Sequence, residues 1–282
     1  MPHVITDDGV VLHYSIRGGG PLTVICLHCM GGCAADFDRL AEALPPALYR
    51  VIALDVRGHG ESDARPVEFS PQRLIRDVLH LANAVGAQRF AVLGHSFGGK
   101  VALALAAREP DRIAGLVLLA PVGPGRVPFE RETVATILQR AHDAAFIADC
   151  FRSSFRPDRE AVVQGWARQF ARTPVWAHQA VCELAMWTDL SAQIGVIAAP
   201  ALVVAGSHDP IYGLTYQRAS VVPCLTQATL VAADCGHGMM MESVQEVADL
   251  CHAFLERLAG LPSRGSAAPS PESSRPAHRE GG

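Results

Sequence analysis

Apolar residues come in two kinds of run along this chain. LTVICLH (22–28), RVIALDV (50–56), RFAVLGH (89–95), IAGLVLLA (113–120) and ALVVAGS (201–207) are short and almost unbroken. Such runs mark strands covered on both faces. ATLVAAD (228–234) is a weaker version, and HVITDDGVVLHYSI reads as a hairpin turning at Asp8-Gly9. Between them lie segments with apolar residues at helical spacing. These are ADFDRLAEAL, PQRLIRDVLHLANAVG with Ser70 placed to cap it, and GGKVALALAAREP. Strand and helix in alternation predict an α/β fold: a mostly parallel sheet with right-handed crossovers and helices on its faces.

The alternation stops between Pro121 and Leu190. RETVATILQRAHDAAFIADC, DREAVVQGWARQFAR and PVWAHQAVCELAMW all carry helical patterns, and no strand-like run interrupts them. The chain therefore divides into a core of residues 1–121 and 190–260 and a helical insertion at 122–189. Residues 261–282 follow, and SRGSAAPSPESSRPAHREGG (263–282) holds no large apolar side chain. Such a segment cannot offset its ordering entropy and is expected to be disordered.

Bulk composition narrows the class without changing this outline. At 282 residues, with 49% apolar and 18% charged, the composition is that of one globular domain. The net charge of −4 and the scattered basic residues argue against nucleic acid or an anionic membrane as partner. The N-terminus lacks the basic start and apolar stretch of a secretory signal, and the longest apolar runs are too short to span a bilayer. Eight cysteines without such a signal read as reduced thiols, so a cytoplasmic protein is expected.

Candidate chemistry centres on LGHSFGGK (93–100), where a strand run meets a helical one. Gly94-His95-Ser96-Phe97-Gly98 fits the G-x-S-x-G nucleophile elbow in its required strand-to-helix context. The sharp turn lifts the Ser96 side chain clear of the backbone, and the helix beginning at Phe97 aims free N–H groups at it. A serine nucleophile needs a base, and the base an orienting acid. His237 in ADCGHGMMMES and Asp209 in GSHDP each follow a strand run, at the strand ends where an open α/β sheet forms its ligand crevice. Asp234 stands close to His237 and is the rival acid. His95 reads as a buried packing histidine, and Asp55 and Arg57 as braces of a loop.

With LHCMGG (27–32), DVRGHGESD (55–63), GHSFGG (94–99) and the GSHD and CGHG pair in place, the chain resembles the α/β-hydrolase superfamily over residues 4–258, most closely its serine-nucleophile branch. The order Ser96, Asp209, His237 is that family's order. The resemblance implies an eight-stranded sheet with the insertion as a helical cap. It also implies an acyl-enzyme mechanism on an ester or thioester, with carbon–carbon hydrolysis, lyase or perhydrolase chemistry, or a non-catalytic binding role, as alternatives. It further implies Met30 and Phe97 N–H as oxyanion donors. Cys29 departs from the pattern, standing where relatives carry glycine, and its thiol is expected to keep an ordinary pKa. His28, Cys29 and the cap residue Trp187 are expected to meet the substrate. That substrate is expected to be a small, largely apolar molecule, free or linked to CoA or a carrier protein, and one or two of the cap's arginines could meet an anionic group on it.

Cys26, Cys29 and Cys33 follow a Cys-x2-Cys-x3-Cys spacing, which raises a metal reading. Cys26 lies inside an apolar strand run and no second ligand cluster accompanies it, so no metal and no organic cofactor is expected.

Overall fold

A computed structural model describes residues 2–260, so the segment 261–282 expected to be disordered lies outside the described residues. In chain order β1 (His3–Ile5) and β2 (Val11–Arg17) form the antiparallel hairpin, and β3 (Leu22–Leu27) follows. α1 (Asp38–Ala43), β4 (Tyr49–Leu54), α2 (Pro71–Ala84), β5 (Phe90–His95), α3 (Phe97–Arg108) and β6 (Ile113–Leu119) continue the alternation. Ser70 caps α2 as its sequence predicts, its hydroxyl accepting from Arg73 N–H at 3.1 Å with Pro71 as the first helical residue.

Between β6 and β7 the chain is helical. α4 (Arg131–Gln139), α5 (Ala144–Phe151), α6 (Glu160–Phe170) and α7 (Val175–Cys182) precede a π-helical turn at Glu183–Trp187 and the short α8 (Ser191–Ile194). The chain then returns through β7 (Ala201–Gly206), α9 (Leu214–Ser220), β8 (Ala228–Ala233), α10 (Met239–Glu242) and α11 (Val244–Ala259).

The eight strands form one sheet in the order β1-β2-β4-β3-β5-β6-β7-β8, parallel from β4 through β8. Successive side chains of a strand face opposite sides. In β3, Ile25 and Leu27 join the cluster under α2 and α3, whereas Val24 and Cys26 join the one under α1 and α11. This explains the unbroken apolar runs, because β5, β6 and β7 are buried at every position. β8 is an edge strand with mostly half-buried or exposed residues, which is why its apolar run reads weakly. A third apolar cluster lies within the helical insertion, around Trp166 and Phe170. The chain's single lysine, Lys100 of α3, is fully buried. It donates to Gly125 O, Ala185 O and Thr188 O at 2.9, 3.1 and 2.7 Å, tying both ends of the insertion to the sheet layer.

Candidate active site

Ser96 sits at the carboxyl end of β5 with φ +54°, ψ −114°, a backbone conformation that costs a non-glycine residue free energy. Both neighbouring glycines answer to close approach. A Cβ on Gly94 would lie 2.5 Å from Gly98 O, and one on Gly98 would lie 2.2 Å from Leu27 O. The turn closes only because neither carries a side chain. A second strained residue supports the first: Ala120, at φ +40°, turns the chain after β6 so that Val122 N–H donates to Ser96 O at 3.0 Å.

Asp209 and His237, at the ends of β7 and β8, form the pair that the spacing suggests. Asp209 Oδ2 lies 2.7 Å from His237 Nδ1, and Asp209 Oδ1 accepts from Ile211 and Tyr212 N–H at 3.0 and 2.9 Å. Burial by itself would raise the Asp209 pKa, but the His237 ring and these hydrogen bonds outweigh it and hold the carboxyl below its ordinary value. An ionised carboxylate only accepts, so His237 Nδ1 carries the proton of this bond, the tautomer whose Nε2 is the acceptor when the ring is neutral. Asp234 is turned outward instead. It is 64% exposed and bonds Arg156 and His208.

The backbone around His237 is held from several sides. His237 N–H donates to Ser154 O at 2.5 Å, and His95 Nε2 donates to His237 O at 2.8 Å. Glu242, buried in α10, accepts from Gly236 N–H (3.0 Å), Gly238 N–H (2.9 Å) and Arg156 N–H (2.8 Å). Sequence reading missed Glu242. Its signal was a lone acid in the apolar run GMMMES, five residues after the candidate base. His95 is the buried packing histidine expected, and burial depresses its pKa to about 3.

The loop after β3 explains the departure at Cys29. Gly32 N–H bonds Cys29 O at 3.1 Å, and the left-handed residue of that turn is Gly31 at φ +68°. A turn with its positive φ at the third position leaves the first residue ordinary backbone, so a Cβ at Cys29 is accepted. Met30 and Phe97 N–H donate to no other backbone group outside the regular elements among the described residues, and Phe97 opens α3, where N–H groups lack intrahelical acceptors. The expectation of an ordinary thiol is corrected. Burial pushes the Cys29 pKa well above the cysteine range, and Asp36 adds to it.

Ser96, Phe97, Met30, Cys29, His95, Asp209 and His237 line one cavity of about 210 Å³. Two expected substrate contacts do not line it. His28 is fully buried, with Nδ1 on Cys29 O at 2.7 Å and Nε2 accepting from Val56 N–H at 3.0 Å, so both ring nitrogens serve the loop fold. Trp187 gives its indole N–H to Phe129 O at 2.9 Å and lies under the Arg131 guanidinium. None of the insertion's arginines lines the cavity either. Asp55 and Arg57 are braces, as expected: Asp55 accepts from Ala34 and Glu61 N–H, and Arg57 spans Asp77 and Asp8. Among the described residues no cluster of His, Cys, Asp or Glu converges as metal ligands would, and no helix is long and apolar enough to cross a membrane.

A nucleophile elbow, an acid–imidazole pair on neighbouring strand ends and an apolar cavity across an eight-stranded sheet define an α/β hydrolase. Residues 23–244 match the family described as alpha/beta hydrolase fold, and the chain belongs to it. It is 28% identical over 275 residues to the 2-hydroxy-6-oxononadienedioate/2-hydroxy-6-oxononatrienedioate hydrolase of Paraburkholderia xenovorans, covering 88% of this chain and 92% of that protein. A shorter match, 37% identical over 120 residues, is to the dihydrolipoyllysine-residue acetyltransferase component of the acetoin cleaving system of Cupriavidus necator. It covers 42% of this chain and 31% of that one. The crystal structure of the enol-lactonase from Burkholderia xenovorans LB400 superposes with a TM-score of 0.81 at 27% identity, over 90% of this chain and all of that one.

Proposed function

We propose that this hydrolase cleaves a carboxylic ester or thioester of small to medium size through an acyl-enzyme on Ser96. The observation that carries this reading is the strained Ser96 on the same cavity wall as a hydrogen-bonded Asp209–His237 pair. His237 Nε2 takes the Ser96 proton as the oxygen attacks the acyl carbon, and Asp209 stabilises the imidazolium that forms. Met30 and Phe97 N–H bind the developing oxyanion, each worth about 3 kcal/mol of barrier. Collapse expels the alcohol or thiol, which leaves with the proton from His237. A water deprotonated by His237 then attacks the acyl-enzyme and releases the acid. The helical insertion acts as the cap, since Phe129, Phe155, Trp166 and Phe170 supply the cavity's aromatic wall.

The test is burst release of nitrophenol from p-nitrophenyl butyrate, together with a fluorophosphonate probe and the Ser96→Ala variant. One burst equivalent and a single label, both lost in Ser96→Ala, are expected; a label unchanged in the variant refutes the reading. Short acyl-CoA thioesters, with the released CoA thiol titrated by a disulfide reagent, separate ester from thioester preference. Carbon–carbon hydrolysis on the same residues is a second reading, favoured by the named activity of the Paraburkholderia relative.

A further inference from the structure

The charge distribution around the cavity bears on which acyl groups it accepts. Its wall is built from side chains such as Phe129, Val134, Phe155, Phe170, Met186 and Met241, together with the neutral thiols of Cys29 and Cys182. Among the described residues no lysine or arginine lines it, and its one anionic residue, Asp209, is held ionised beside His237. The insertion is nevertheless rich in arginine, but those groups are paired or exposed away from the cavity lining, Arg159 pairing with Asp158 at 3.1 Å. Arg131 pairs with Glu183 at 2.8 Å, Arg140 with Asp143 at 2.5 Å, Arg156 with Asp234 at 2.6 Å, and Arg152 with Asp149 and Glu160. Arg126, Arg168 and Arg172 are exposed. Lys100 is spent on three backbone carbonyls behind the wall.

From this arrangement we infer that the acyl group bound here is uncharged, and that an acyl chain ending in a carboxylate is excluded. A carboxylate at the far end of an acyl chain whose carbonyl occupies the Met30 and Phe97 N–H groups gives up its hydration and meets no lysine or arginine in return. The volume of about 210 Å³ sets the second limit, since it lies below the usual range for drug-sized ligands. The substrate class is therefore a short to medium neutral acyl ester or thioester. This separates the chain from its Paraburkholderia relative, whose named substrates are dioates. The inference rests on the serine-hydrolase reading above.

Three p-nitrophenyl esters test it at pH 7.5 with the full chain: the hexanoate, the adipate monoester with its free terminal carboxylate, and the same adipate capped as a methyl ester. All three share the leaving group and the reacting carbonyl. The hexanoate should exceed the free adipate by at least a hundredfold in kcat/KM, each rate corrected for spontaneous hydrolysis. The methyl cap should restore kcat/KM to within about tenfold of the hexanoate, because it removes the charge while lengthening the chain. A free adipate turned over within tenfold of the hexanoate overturns the inference, and fluorophosphonate labelling of Ser96 in the same preparation would show that the hydrolase reading survives it. Absence of both labelling and turnover of all three esters removes the two together.

Discussion

Four histidines are buried and neutral in this fold, and acid should therefore unfold the protein at a mildly low pH. Burial depresses the pKa of His28 from 6.5 to about 4 and those of His59, His95 and His178 to about 3. His28, His59 and His178 form a chain beneath the loop after β3, with ring centroids 5.0 and 6.4 Å apart and His178 stacked on Phe170. Protonating His28 would destroy its acceptor for Val56 N–H. Protonating His59 Nε2 or His178 Nδ1 would place a buried N–H where no acceptor stands among the described residues.

Each group has a folded pKa below its unfolded one. Its neutral form is carried without cost above pH 6.5, and stability is lost as pH falls from there toward the folded value, because only the unfolded chain takes up the proton. Lowering the pH from 7.5 to 5.5 costs about 1.4 kcal/mol per histidine, or about 5 kcal/mol for the four. Asp36 works in the opposite sense. Burial raises its pKa to about 6, so its protonation in the folded state returns about 0.8 kcal/mol over the same interval. The net loss of about 4–5 kcal/mol is comparable with the whole stability of a marginal domain. Urea unfolding at pH 7.5, 6.5 and 5.5, with refolding checked at each, measures it directly. A His59→Asn variant that folds should cut the net proton uptake on unfolding at pH 5.5 from about three to about two. An unfolding free energy that changes by less than about 1 kcal/mol between pH 7.5 and 5.5 would refute the reasoning.

Three further outcomes are expected. Asp209→Asn should lower turnover by about four orders of magnitude through loss of the His237 tautomer, while Asp234→Asn stays near normal in a steady-state esterase assay. Glu242→Gln replaces an acceptor oxygen with an amide that cannot accept from the buried N–H groups it faces, so it should cost about 1–3 kcal/mol in urea unfolding and lower kcat more than it raises KM. Ala120→Gly should raise stability by about 1 kcal/mol with activity kept, since only Ala120 and Ser96 hold a positive φ without being glycine among the described residues; thermal melting reads the gain.

Much of this protein was legible before any coordinate. Unbroken apolar runs mark β3 through β7 because those strands are buried on both faces, and burial is what hydrophobicity along a chain records. Ser96 was legible for a local reason: the glycines at 94 and 98 are required by atoms within a few residues of them or on the adjacent strand. Other features hinge on contacts between distant residues. Asp209 and Asp234 both follow a strand, and composition does not rank them. The lateral pairing of β7 with β8 sets Asp209 against His237, while Arg156 and His208 draw Asp234 to the surface. His28 and Trp187 were expected at the substrate, but the groups that engage their nitrogens, Val56 N–H and Phe129 O, lie 28 and 58 residues away. The arginines of the insertion show the same limit. A helical repeat says which residues share a face, but only the packing of α4–α7 over the sheet decides which face looks into the cavity, and it turned the apolar face inward and left the cations paired or exposed outside.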